Sequence, residues 1–328
     1  MQTAEQGPRQ RPPSQNGDPQ TPAGPADIRT GGWVAVLKRT IAKFRAENLT
    51  DWAAALTYYT VLSVFPALLA LAAILGLVGK NPQTTNALLK IIGDLGPSTA
   101  VDTYRGPIQS LITHKREAGI LLVVALGTAL WSASSYVGAF IRASNAIYGK
   151  DEGRPFWKLR PTQLLVTLVM VVLVALVGIA IVVTGPLASA IAKPIGLGGA
   201  AVTVWNIAKW PVLLAMVMLM LGILYYWAPN VRQPKFRWIT PGSVLAVIVW
   251  IAASAGFAVY VANFGSYDKT YGSLGGVVIG LIWLWISNIA VLLGQALNAE
   301  LERERELQGG DHRAHDEIQL QPRGAPAG

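Results

Sequence analysis

Side chains able to do acid, base or metal chemistry are sparse in this 328-residue chain, and their spacing leaves them little to do. There is no cysteine, which excludes thiolate catalysis, disulfides and cysteine-ligated zinc. Of the three histidines, His114 stands alone, and His312 and His315 lie at i, i+3 beside Asp311 and Asp316 with no apolar frame around them. A metal site needs three or four ligands held in place, so neither a metal nor a cofactor is expected. Phosphodiester hydrolysis would need clustered carboxylates or histidines. The sequence has no such cluster, and an enzyme is not expected.

What remains is the chemistry of amides and hydroxyls. Asn288, Gln295 and Asn298 recur at +7 and +3, one face of a helix, inside a long apolar run. Amides facing lipid are costly, so they should turn inward. There they would line a polar cavity or bond neighbouring helices. Ser132 and Ser135, flanked by Thr128 and Tyr136, give a second apolar run a polar face, and Arg142 and Asn145 mark its end. The two serines are the expected partners of the amides. A third run holds Pro66, which has no N–H; it should free the Leu62 carbonyl and kink the helix. Thr57, Thr60 and Ser63 stand just upstream, placed to bond that carbonyl. The candidate cavity or packing face is therefore Ser63, Pro66, Ser132, Ser135, Asn145, Asn288, Gln295 and Asn298. Gly276, Gly280, Ser287 and Gly294 add a stripe of small residues where another helix could approach closely.

The elements that must carry these groups follow from composition. Hydrophobic residues make up 52% of the chain and charged residues 14%, against about 25% charged in soluble domains; the mean hydropathy is +0.41. Six stretches contain no Asp, Glu, Lys or Arg: 52–79, 118–141, 161–192, 210–231, 238–267 and 270–299. Each matches the roughly 20 apolar residues that cross a bilayer as a helix. The predicted fold is an all-α integral membrane protein with six transmembrane helices, at about 52–78, 120–141, 164–183, 202–227, 241–263 and 274–298, with short amphipathic interfacial helices. No Asp, Glu, Lys or Arg is expected inside the membrane. Pro161 should start the third span as a first-turn residue.

Outside the spans, residues 1–31 are rich in Pro, Gln and Gly, lack the apolar core of a signal peptide, and read as a disordered tail. Residues 303–328 read the same way, leaving 32–302 as the membrane domain. Trp33, Leu37, Ile41 and Phe44 share one helical face, with Lys38, Arg39, Lys43 and Arg45 around the rest. Such a helix either lies in the interface, held by anionic lipid headgroups, or packs on the rest of the protein. The segment 80–119 should form two or three short surface helices. With the N-terminus inside, cytoplasmic segments hold 19 Lys and Arg and external loops 8, which places both termini in the cytoplasm. Topology thus accounts for the net charge of +9, and no nucleic acid is needed as a partner.

Four patches together resemble the YihY/BrkB family of bacterial inner-membrane proteins, once labelled ribonuclease BN. They are ALTYYTVLSVFP (55–66), LWSASSYVGAFIRASNAIYG (130–149), YYWAPNVRQPKFRWITPGS (225–243) and YGSLGGVVIGLIWLWISNIAVLLGQALNAEL (271–301). The likeness covers roughly residues 33–302. It implies an inner-membrane location and an envelope-integrity or transport-like role. The kinked spans and polar faces fit a transporter or flippase-like protein that handles an amphipathic, lipid-like envelope molecule; a non-transporting scaffold is the alternative. Members commonly carry an acid in the turn where this chain has Gly294-Gln295-Ala296.

Overall fold

The computed structural model describes residues 28, 30–78, 115–182, 199–263 and 275–324. They form seven α-helices: α1 (Thr30–Ala46), α2 (Leu49–Val78), α3 (Lys115–Tyr148), α4 (Phe156–Val182), α5 (Gly199–Trp227), α6 (Pro241–Asn263) and α7 (Gly275–Gln308). A 3₁₀ turn follows at His312–His315. Among the described residues there is no strand, only an isolated bridge between Val231 and Pro322. Helices satisfy their own backbone, as a membrane interior demands. Four are long and apolar enough to cross a bilayer: Phe156–Gly178, Val202–Trp227, Pro241–Asn263 and Gly275–Gln308. The apolar part of α7 gives way at Glu300 to a charged extension.

α2 pairs with α3, α6 with α7, and α7 also touches α1, α2 and α3; α4 packs between α3 and α5. The core gathers Leu49, Leu56, Phe140, Ile147, Tyr225 and Leu292. On α4 the large apolar side chains Leu165, Leu168, Val172, Val174 and Leu176 are exposed instead, an apolar surface suited to lipid. α6 and α7 cross where Gly242 meets Gly294, and a Cβ on either would meet the other's carbonyl oxygen. Gly276 and Gly280, expected to allow such an approach, have no neighbour within 4 Å of an added Cβ. The contact moved because small residues matter only where helices cross.

Helix limits differ from expectation mainly at one end of the bundle. α4 starts five residues before Pro161, which is inside the helix; Pro155, just before the helix, precedes the first turn instead. α7 runs ten residues past 298. Of residues 303–328, expected to form a disordered tail, 303–308 belong to α7 and 309–324 are hydrogen-bonded to the end of the bundle. The tail's partners, described below, are backbone carbonyls and amides that composition does not reveal. Residues 115–119 open α3; the rest of 80–119, where surface helices are predicted, and most of the N-terminal tail lie outside the described residues.

α1 also turns differently. Val36 and Thr40 are buried, and Arg39 and Lys43 point inward to α7, whereas Val34, Leu37 and Ile41 are exposed. Two of the four cations are thus held by protein carboxylates.

Candidate functional site

The amides of α7 face the bundle, each in a different setting. Asn288 is 5% exposed. Its Oδ1 accepts from Tyr136 Oη on α3 at 3.0 Å, and its Nδ2 donates to Thr57 Oγ1 on α2 at 3.1 Å. One side chain therefore ties three helices. The expected partners were Ser132 and Ser135; the tyrosine one residue beyond Ser135 takes that place, because its longer side chain reaches α7. Ser135 itself is half-buried on α3.

Ser132 does other work. Its Oγ donates to the Leu62 carbonyl at 3.3 Å, the acceptor that Pro66 leaves without an N–H. Thr57, Thr60 and Ser63 donate instead to Ala53, Leu56 and Thr60 of their own helix. The freed carbonyl is thus met from a neighbouring helix. α2 continues through Pro66 to Val78, and the proline's side chain lies outside the described residues.

Asn298 caps α6. Its Oδ1 accepts from Gly242 N at 2.9 Å, and its Nδ2 donates to Thr240 Oγ1 at 3.0 Å. Thr240 in turn accepts from Ser243 N at 3.0 Å, so the orphan N–H groups of the first turn are satisfied. Between these two amides lies Gln295. It is fully buried, and neither Nε2 nor Oε1 has a hydrogen-bond partner. Leaving a buried polar group unpaired costs about 1–3 kcal/mol. Ser144 Oγ on α3 is buried and unpaired as well.

A second polar layer lies at the end of the bundle where α3, α5 and α7 finish and α4 and α6 begin. Asn145 belongs here, away from the amide face: its Oδ1 accepts from Asn230 N at 2.7 Å and its Nδ2 donates to Glu152 at 3.0 Å. Burial opposes the charge of Glu152, but hydrogen bonds from Arg154 and Asn145 outweigh it and hold the carboxyl below its ordinary range. Arg154 donates to the carbonyls of Trp227 and Ala228, and Arg323 to those of Tyr226 and Val231. Two guanidiniums thereby meet the negative, carbonyl-rich end of α5. Gly324 exchanges hydrogen bonds with Asn230. On the other flank Glu300, 1% exposed, is compensated by Arg39 at 2.9 Å and Lys43 at 3.4 Å, and Arg39 also reaches Glu304 at 2.7 Å. Burial leaves Lys43 below its ordinary pKa despite Glu300.

One cation was missed. Lys209 falls within the apolar stretch Val202–Trp227, where no charge was expected. It is 8% exposed, with its ammonium 5.5 Å from the Trp210 ring. The signal was in the sequence, since a span that begins at 202 already contains it. Among the described residues no group of three His, Asp or Glu could hold a metal ion.

The family model for virulence factor BrkB matches residues 40–318, from α1 to just past the 3₁₀ turn. The chain is 30% identical over 275 residues to the ribonuclease-like protein YfkH of Bacillus subtilis (strain 168), covering 84% of this chain and 98% of that protein. It is 26% identical over 272 residues to the UPF0761 membrane protein MS0032 of Mannheimia succiniciproducens, covering 82% and 90%. A UPF0761 membrane protein of Vibrio campbellii is 26% identical over 283 residues. No solved structure matches.

Proposed function

This chain belongs to the BrkB family of membrane proteins, and from that membership we propose that it is a six-span inner-membrane protein, both termini cytoplasmic, that moves an amphipathic envelope molecule. The observation that carries this reading is Gln295. A bundle that only packs gains nothing from a fully buried amide with both ends unpaired. A bundle that alternates between two packings does, if the amide finds its partners in the other arrangement or on the substrate. Lys209 fits the same reading, since charged groups inside spans commonly serve ligand pathways.

A scaffold is the second reading, and Asn288 favours it. That amide is buried and bonded at both ends across three helices, as a packing device would be. Gln295→Leu separates the two. The substitution removes no hydrogen bond, so thermal stability in detergent should hold or rise. Under the transport reading a strain relying on this variant shows the detergent sensitivity of a strain lacking the protein. Full complementation by Gln295→Leu at normal expression would overturn transport through this face and leave the scaffold.

A further inference from the structure

The segment between α5 and α6 alternates cations with apolar side chains: Lys235, Phe236, Arg237, Trp238, Ile239. The structure sorts them. Lys235 and Arg237 line a cleft of about 460 Å³, whereas Phe236, Trp238 and Ile239 are exposed, as is Trp227 at the end of α5. Arg305 of α7 also lines the cleft, its guanidinium fixed by Glu302 at 2.8 Å and 3.1 Å. Three cations therefore meet one carboxylate in the lining. Ile28, Leu301 and Leu320 supply an apolar wall, and Asn298 a polar contact. The volume suits a small ligand. Of the amide face only Asn298 reaches this cleft; Asn288 and Gln295 do not line it.

We propose that the cleft holds the anionic headgroup of one membrane phospholipid, with its acyl chains passing out beside Phe236 and Trp238. The net positive lining selects an anion. The exposed rings select an anion that carries a hydrocarbon tail, because aromatic side chains at a bundle end sit at headgroup depth. A soluble anion would use the cations and leave the rings without a role. The site goes beyond the transport reading and stands whether or not the bundle moves a substrate.

The test is native mass spectrometry of the full-length protein in detergent, titrated separately with dioleoyl phosphatidylglycerol and dioleoyl phosphatidylcholine. One tightly held phosphatidylglycerol per chain is expected, with phosphatidylcholine clearly weaker. Lys235 is exposed, so Lys235→Gln should keep the melting temperature and lower phosphatidylglycerol affinity about fivefold, and K235Q/R237Q about 25-fold. The control Lys38→Gln/Arg45→Gln, on the exposed side of α1, should change nothing. Equal binding of the two lipids, equal loss in the control, or unchanged binding by Lys235→Gln would each overturn the site. So would complete displacement of the lipid by millimolar inorganic phosphate, which would make it a free-anion site.

Discussion

In the middle of the bundle, the polar contacts that tie helices together run directly from one helix to another. Asn288 reaches α2 and α3, Ser132 reaches the Leu62 carbonyl, and Tyr225 Oη donates to the Val291 carbonyl at 2.7 Å. At the basic end the partners come largely from loops and tails: Arg154, Asn230 and the segment 318–324 close over the end of α5. The first kind of contact fixes how helices cross, because lipid offers no competing partner. The second competes with water, so each bond adds less and many are used together. Gln295 fits neither pattern, and that is why it separates a packing device from a moving one.

The largest effect should come at the helix crossing. Gly294→Val would drive a side chain into the Gly242 carbonyl and Tyr225 Oη, and the cost should reach or exceed the upper end of about 1–3 kcal/mol for overpacking. Gly280→Ala, with nothing within 4 Å, should leave melting in detergent unchanged. Equal losses at both positions would restore the full small-residue stripe as the interface.

Next come the two amides one heptad apart. Asn288→Leu strands Tyr136 Oη and should cost about 1–2 kcal/mol. Gln295→Leu strands nothing and should be neutral or stabilising by up to about 1 kcal/mol. Comparable destabilisation by both, read from thermal melting, would show that Gln295 is paired after all. A smaller effect belongs to the basic end: Arg323→Ala removes donors to two carbonyls and should cost about 1 kcal/mol. It should also speed proteolytic cleavage between α5 and α6. Unchanged cleavage would mean that the terminal segment does not hold that end closed.

These contrasts also show what the sequence made legible. Charge-free runs longer than a bilayer is thick yield helices almost regardless of context, and the inward turn of Asn288 and Asn298 follows from the cost of amides in lipid. The partners were harder to read. Nothing local says that Ser132 will meet a carbonyl 70 residues away, or that Arg39 and Lys43 will prefer Glu300 to lipid. Composition misread residues 309–324 for a related reason. A polar segment with little apolar surface lacks a core of its own, yet here it docks on carbonyls at the end of α5. Lys209 is a different error, one of counting rather than of physics.

The smallest expected effect concerns that docked segment. Glu306 lies on the charged extension of α7 and accepts the Gln319 backbone N–H at 2.8 Å. Burial is the main cause that pushes its carboxyl up to about 7; the Gln319 bond acts against it, and Glu302 and Asp311 add to it. Arg305 and Arg313 also face the group. The sign follows from linkage. A carboxyl raised in the docked state favours docking while protonated, so its contribution is complete below the ordinary value of 4.5 and is lost as pH rises through about 7. The chain has no native cysteine, so a spin label on Gln321→Cys, an exposed position, reports this segment alone. The label should be immobile at acidic pH and gain mobility between about pH 6 and pH 8. Glu306→Gln, which stays neutral throughout, should keep it immobile. Identical mobility profiles with and without Glu306 would mean that the segment is held by Arg323 and Asn230 alone, and that its docking is insensitive to pH.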